Sequence, residues 1–205
     1  MTRHIRPFFW FGHPLILQTL ESNISTNAAM EKIPIGISAC LMGDLVRYDG
    51  SHKRSDWIHV LDEYFELRRV CPEVAIGMGV PRQAVRLVDD SVRTRALGVA
   101  DPELDVTVAL TEYGVKIGGQ SGDLYGFVLT ERSPSCGLDS TKLYSVDGEL
   151  LPERTSGVFT RALSAANPEL PLVENIQLDE PVLREEFITR VFAYYDRRRG
   201  GAGVE

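Results

Sequence analysis

The chain reads as an α/β protein built on a largely parallel sheet with helices on both faces. Three observations predict this. Short apolar runs bounded by glycine or proline alternate with longer stretches of helical periodicity. The runs that carry the cysteines alternate with expected helices along the chain. The apolar runs are nearly continuous rather than alternating, as strands buried on both faces are.

The elements follow in order. Ile33 to Leu41 is an apolar run between Pro34 and Gly43, and predicts a buried first strand. MGDLVRYDGSHKR is a polar loop with Gly43 and Gly50. A helix is expected through WIHVLDEYFEL, capped by Asp56, with Trp57, Val60, Leu61 and Tyr64 on one face. Arg69 to Ile76 predicts the second strand, closed by a turn at Gly77, Gly79 and Pro81. AVRLVDD and VRTRALGV predict a hairpin-like insertion. Pro102 and Asp105 open a helix through VTVALTEYGVKI, and GGQSGD is a connecting loop. LYGFVLTE is the third core strand, and TKLYSVDGELL an edge strand with a turn. SGVFTRALSAANPELPLVE reads as helix, proline-flanked turn and short last strand. PVLREEFITRVFAYYDRRR is an amphipathic helix with Pro181 in its first turn.

Composition narrows the function classes. A content of 43% hydrophobic and 25% charged residues in 205 positions is that of one folded domain or slightly more. The net charge of −7 excludes a globally basic nucleic-acid binder. No apolar run reaches the roughly 20 residues that span a bilayer, so no membrane partner is expected. Residues 1–29 differ from the rest, being first aromatic and apolar, then polar. They loosely match a signal peptide, but His13 and Pro14 interrupt the apolar core. They are expected to be either a disordered leader or an untranslated extension ahead of a native start at Met30, with one domain over 30–199 and a disordered tail over 200–205. An odd cysteine count argues against a secreted disulfide scaffold and fits the reducing cytoplasm.

The chemistry concentrates in those cysteines. Cys40, Cys71 and Cys136 each stand at the end of an expected strand, where ligands bind in open α/β sheets. Three thiolates on one rim would hold a metal site with one position open to water or substrate. Three unrelated buried cysteines fit the same spacing, because no C-x-x-C pair is present. A zinc site that adds His52 is a further alternative. There is no Walker motif and no G-x-G-x-x-G, and Gly77-Met78-Gly79 reads as a turn. Ser133 and Ser135 flank Pro134 beside Cys136. Their hydroxyls either serve a site or satisfy the turn. Arg47, Lys53, Arg54, Arg82 and Arg86 form either a basic rim for an anionic substrate or a solvated loop surface.

Taken together, ISACLMGDLVRYDGSHKR, VCPEVAIGMGVPRQAVRLV, GFVLTERSPSCGLDSTKLY, GVFTRAL and PVLREEFITRVFAYYD resemble the thiouracil desulfurase (desulfidase) family over roughly Ile33 to Arg198. The resemblance implies a stand-alone, Rossmann-like domain. It implies a 4Fe–4S cluster held by Cys40, Cys71 and Cys136, with one iron free for the sulfur of a thiolated substrate such as 2-thiouracil. Water would replace that sulfur without net electron transfer, so neither nicotinamide nor flavin is implied. A glutamate ahead of the second cysteine is expected as acid/base, which points to Glu66, with Glu63 the competing alignment; Glu73 is a second candidate, expected rather to bond backbone amides near the cluster loop. Gly137 would give the backbone room beside the cluster. Expected partners are a thiolated pyrimidine base, nucleoside or nucleotide, a tRNA-derived fragment, and cluster-assembly machinery; nothing requires a dimer. The rival readings are a non-catalytic iron–sulfur sensor or sulfur carrier, and a zinc-binding module.

Overall fold

The computed structural model describes residues 32–119 and 124–200. The expected leader over 1–29 lies outside the described residues. So do positions 120–123 of the GGQSGD loop and 201–205 of the tail.

Four strands form a fully parallel sheet, which confirms the α/β class. They are β1 (Ile33–Ser38), β2 (Phe65–Val70), β5 (Phe127–Leu129) and β8 (Leu172–Glu174), in the order β2-β1-β5-β8. Both faces are covered. On one, Ile33, Ile35, Ile37 and Val128 pack against Leu61 of α1 (Ile58–Tyr64) and against Phe187 and Val191 of α5 (Pro181–Gly200). On the other, Phe127 and Leu129 pack against Phe159 and Leu163 of α4 (Val158–Ala166), with Tyr113 and Ile117 of α3 (Thr107–Gly119) beside them. Close packing of α3 on α4 depends on Gly114, where a Cβ would lie 2.6 Å from the Phe159 carbonyl oxygen.

A second, mixed sheet has the order β4-β3-β6-β7. The expected insertion is the antiparallel hairpin β3 (Val85–Asp89) and β4 (Thr94–Gly98). The segment expected as a lone edge strand is itself a hairpin, β6 (Thr141–Ser145) and β7 (Leu150–Thr155). Its first strand joins β3 in parallel, which creates the second sheet. Leu87, Ala96, Leu143 and Val158 give this sheet its own core, with Val106 and Leu110 at the start of α3.

Two boundaries differ from expectation, and both matter for the site. The helix expected through WIHVLDEYFEL stops at Tyr64, and Phe65 is already extended (φ −125°, ψ 149°). Phe65 lies one helical turn after Leu61, so the apolar spacing fits a helix. Pairing with Ile33 and complete burial decide otherwise. Asp56 caps nothing, because Trp57 takes the N-cap position and no side chain bonds there. The second strand therefore ends at Val70. Cys71 follows it as the residue before the short helix α2 (Pro72–Ala75), not inside a strand reaching Ile76.

Candidate active site

The three cysteine-bearing loops leave the carboxyl ends of β1, β2 and β5, which are neighbours in the sheet. Register aligns those ends: Ser38 pairs with Val70, and Ile37 with Val128. Cys40 sits in a 3-10 turn over Ala39–Met42, closed by Gly43 at φ 93°, a conformation that favours glycine. Cys71 directly follows β2, and Cys136 lies in the loop after β5. All three line one cavity of about 350 Å³. Sequence position alone left convergence open; the parallel sheet brings it about.

Each thiol is shielded and held. Cys40 Sγ lies 3.1 Å from Thr130 Oγ1, and Cys71 Sγ donates to the Val46 carbonyl at 3.8 Å. Cys136 is buried, and its N–H donates to Ser133 Oγ at 3.0 Å. Burial pushes all three thiols up, and the buried Cys136 furthest, with Cys40, Glu73 and Cys71 adding to its rise. Each thiolate disfavours ionisation of its neighbours, so a cationic group shared by the three would relieve them together. Among the described residues no His, Cys, Asp or Glu group is arranged to hold a metal ion. Thiols on three separate strand ends suit a cluster, which spreads its ligands over several metal atoms, better than one zinc. The donor set, soft thiolates in a half-enclosed cavity, therefore fits an iron–sulfur cluster.

The carboxylates sort differently from expectation. Glu66 lies near the start of β2, opposite Pro34, with an exposed side chain bonded to Arg68 at 3.1 Å. It does not line the cavity, because ending α1 early moves it into an edge strand. Glu63, in the last turn of α1, is exposed and does not line it either. Glu73 does. Its Oε1 accepts from Ser135 Oγ at 2.7 Å and its Oε2 from Arg82 Nε at 2.6 Å. Arg82 also donates to the carbonyls of Gly79 and Val46, both at 2.9 Å, tying the loop after Cys71 to the loop after Cys40. Glu131 also lines the cavity, with Lys53 ion-paired to its Oε1.

Both serines take structural bonds. Ser133 Oγ accepts from the N–H groups of Ser135 (3.3 Å) and Cys136 (3.0 Å), and Ser133 lines the cavity. Ser135 is buried behind it and orients Glu73. Gly137 is closely packed on its own loop: a Cβ there would fall 2.2 Å from Thr141 Oγ1. The loop rests on α4, since Val158 N–H donates to the Pro134 carbonyl and Thr160 N–H to that of Ser135.

Of the five basic residues singled out, Arg47, Lys53 and Arg82 line the cavity. Arg54 does not, and Arg86 stacks over Tyr144 of the second sheet at 5.5 Å. Arg132 belongs to the rim as well. Its backbone is held at φ 60° while its N–H donates to Ser140 Oγ at 2.7 Å, a strained conformation that tends to persist at functional positions. Thr130, Glu131 and Arg132 were not singled out from sequence, although they immediately precede Ser133. The one available signal was that three polar residues follow a strand end.

The 2-thiouracil desulfurase family model matches residues 35–175. An uncharacterized protein of Bacillus subtilis (strain 168), YbbK, is 31% identical over 107 residues, 49% of this chain and 71% of that one. A solved structure, the [4Fe-4S]-dependent thiouracil desulfidase TudS, superposes with a TM-score of 0.57 at 28% identity, covering 76% of this chain and 99% of its own. On the family match and the shared fold, the chain belongs to the 2-thiouracil desulfurase family.

Proposed function

We propose that this protein is an iron–sulfur-dependent desulfidase that removes sulfur from a thiolated pyrimidine and releases it as sulfide. The observation that carries the reading is the convergence of Cys40, Cys71 and Cys136, from three adjacent strand ends, on one cavity that also holds Glu73. The three cysteines would hold a 4Fe–4S cluster, which would supply a thiophilic Lewis acid for the substrate sulfur.

The remaining work falls to the chain. The reaction exchanges one bond pair: a thiocarbonyl and water become a carbonyl and hydrogen sulfide, with no electrons left over. Water needs a group to take its proton. Glu73 replaces Glu66 in that role, because its carboxylate reaches the cavity and is fixed by Ser135 and Arg82. Ser133 has both acceptor positions taken by N–H groups, so its hydroxyl hydrogen is the donor left for a substrate heteroatom. Ala39, Val46, Val70 and Val85 give the cavity apolar walls beside these groups. Arg47 and Arg132 at the rim suit a substrate that carries phosphate, so the nucleotide or a tRNA-derived fragment stands beside the free base.

The test is anaerobic reconstitution of wild type beside Cys40→Ala, Cys71→Ala and Cys136→Ala, followed by a thiolated-pyrimidine panel. About four irons per chain are expected in wild type, lost in each variant, with sulfide released only by loaded wild type. Loaded protein that releases no sulfide from any panel member would refute the proposal.

A further inference from the structure

A residue that lines the cavity carries a buried acceptor that no group of the protein satisfies. Glu131 has a side chain only 10% exposed; Oε1 is ion-paired with Lys53 Nζ, while Oε2 is buried without a hydrogen-bond partner. The backbone of each partner is held in place. Its N–H donates to Asn175 Oδ1 at 2.9 Å, and Lys53 N–H donates to the Cys40 carbonyl at 2.9 Å. Both side chains line the cavity. A buried charged acceptor left without a partner is costly, and such atoms in folded proteins call for an explanation.

An ion-paired carboxylate only accepts, and an ammonium group only donates. Side by side they present an acceptor next to a donor. That is the complement of a ring N–H next to a carbonyl. In a thiolated uracil, N3–H lies between C2 and C4. Whichever of these carbons carries sulfur, the other keeps its oxygen, so an N–H/C=O edge is always present.

Resting on the desulfidase reading, we propose that the Glu131 carboxylate turns Oε2 into the cavity on binding and accepts the N3–H of the substrate ring while Lys53 Nζ donates to the unreacted carbonyl, which makes this pair the determinant of base specificity. A methyl on N3 removes the donor and places bulk against the carboxylate. A substituent on N1, where a ribose would be attached, leaves the edge intact. Glu131 is therefore a specificity residue, distinct from Glu73 as the proton-handling group.

The experiment uses iron–sulfur-loaded protein under anaerobic conditions. Calorimetry measures binding of uracil, 1-methyluracil and 3-methyluracil, and steady-state assays measure 2-thiouracil turnover. Wild type binds uracil and 1-methyluracil alike and 3-methyluracil about 10- to 100-fold more weakly, the range of a hydrogen bond to a charged group. In Glu131→Gln, Lys53 takes the amide oxygen and the NH2 group faces N3–H. KM for 2-thiouracil then rises by about 10- to 100-fold with little change in kcat, and the 3-methyl discrimination disappears. Wild type that binds 3-methyluracil as well as uracil, or binds no uracil, overturns the inference without any variant. A Glu131→Gln protein with full iron content and unchanged KM does so too, as does one that loses kcat at constant KM. Wild type that turns over no thiolated pyrimidine refutes the desulfidase reading instead, and the binding arm still decides this inference.

Discussion

Gly157 supports the cysteine loop from behind, and its replacement by alanine tests whether that loop is rigid. Its φ of −60° and ψ of 156° are open to any residue, so backbone preference contributes no penalty. Sterics does. A Cβ at this position would lie 2.4 Å from both the carbonyl carbon and oxygen of Ser135 and 2.8 Å from the Cys136 nitrogen. All three are backbone atoms, pinned by Gly157 N–H to the Gly137 carbonyl at 2.8 Å and Val158 N–H to the Pro134 carbonyl at 3.0 Å. Relief needs a shift of about 1 Å in the loop or in α4, and overpacking of this kind costs about 1–3 kcal/mol. The reduced freedom of the unfolded chain returns about 0.4–1 kcal/mol. A net loss of about 1–2 kcal/mol lowers Tm by about 2–8 °C for a domain of this size. Because the displaced atoms belong to Cys136 and its neighbour, iron content after reconstitution falls with the stability. Gly119→Ala is the control, since a Cβ there meets nothing within 4 Å. Calorimetric melting and iron analysis read both variants. Gly157→Ala with wild-type Tm and full iron would refute the idea that close backbone packing of α4 sets the position of Cys136.

Two further outcomes follow from charged groups. Arg82→Lys keeps the charge but loses the fork that reaches Glu73, Gly79 and Val46 together. With Glu73 and Arg82 side chains 12% and 5% exposed, this is a buried pair, and denaturant unfolding should show a loss of about 2–4 kcal/mol; an unchanged midpoint would count against it. Asp105 accepts from the N–H of Thr107, the first residue of α3, and bonds Arg95. Burial pushes its carboxyl up, but the Thr107 hydroxyl and N–H and the Arg95 guanidinium outweigh this and hold it below its ordinary value. A carboxyl lowered by folding contributes stability above its unfolded pKa and loses it as pH falls through the folded value. Asp105→Asn is therefore expected to destabilise by about 1 kcal/mol at pH 7, with the gap to wild type closing as the pH falls below the ordinary range of an aspartate carboxyl. A gap that persists in acid would mean that the carboxylate charge is not what Asp105 contributes.

The parts of this protein that were legible from the chain are those with short-range causes. Continuous apolar runs bounded by glycine and proline predict buried parallel strands, because the period and the breakers are local. The three cysteines could be placed at strand ends for the same reason. Even the β3–β4 hairpin showed, since its two strands are separated by only a few polar residues. Where two local signals competed, the chain was ambiguous. Leu61 and Phe65 suit a helix by spacing, and only the partner strand β1 decides that Phe65 is extended. That single decision removes Glu66 from the site and leaves Glu73 and Glu131 as the carboxylates in the cavity.

What the sequence by itself determined is the α/β class, the covered sheet and the identity of the three thiols. Only the tertiary structure decided that the thiols meet, because convergence needs β2, β1 and β5 to be neighbours running the same way. It also decided which polar residues matter. Ser135 and Arg82 lie far apart in the chain yet bind the same carboxylate, and Glu131 meets Lys53 only through the fold. Burial and orphaned acceptors are properties of the packed molecule: they arise when distant segments exclude water together, and no window of neighbouring residues records them.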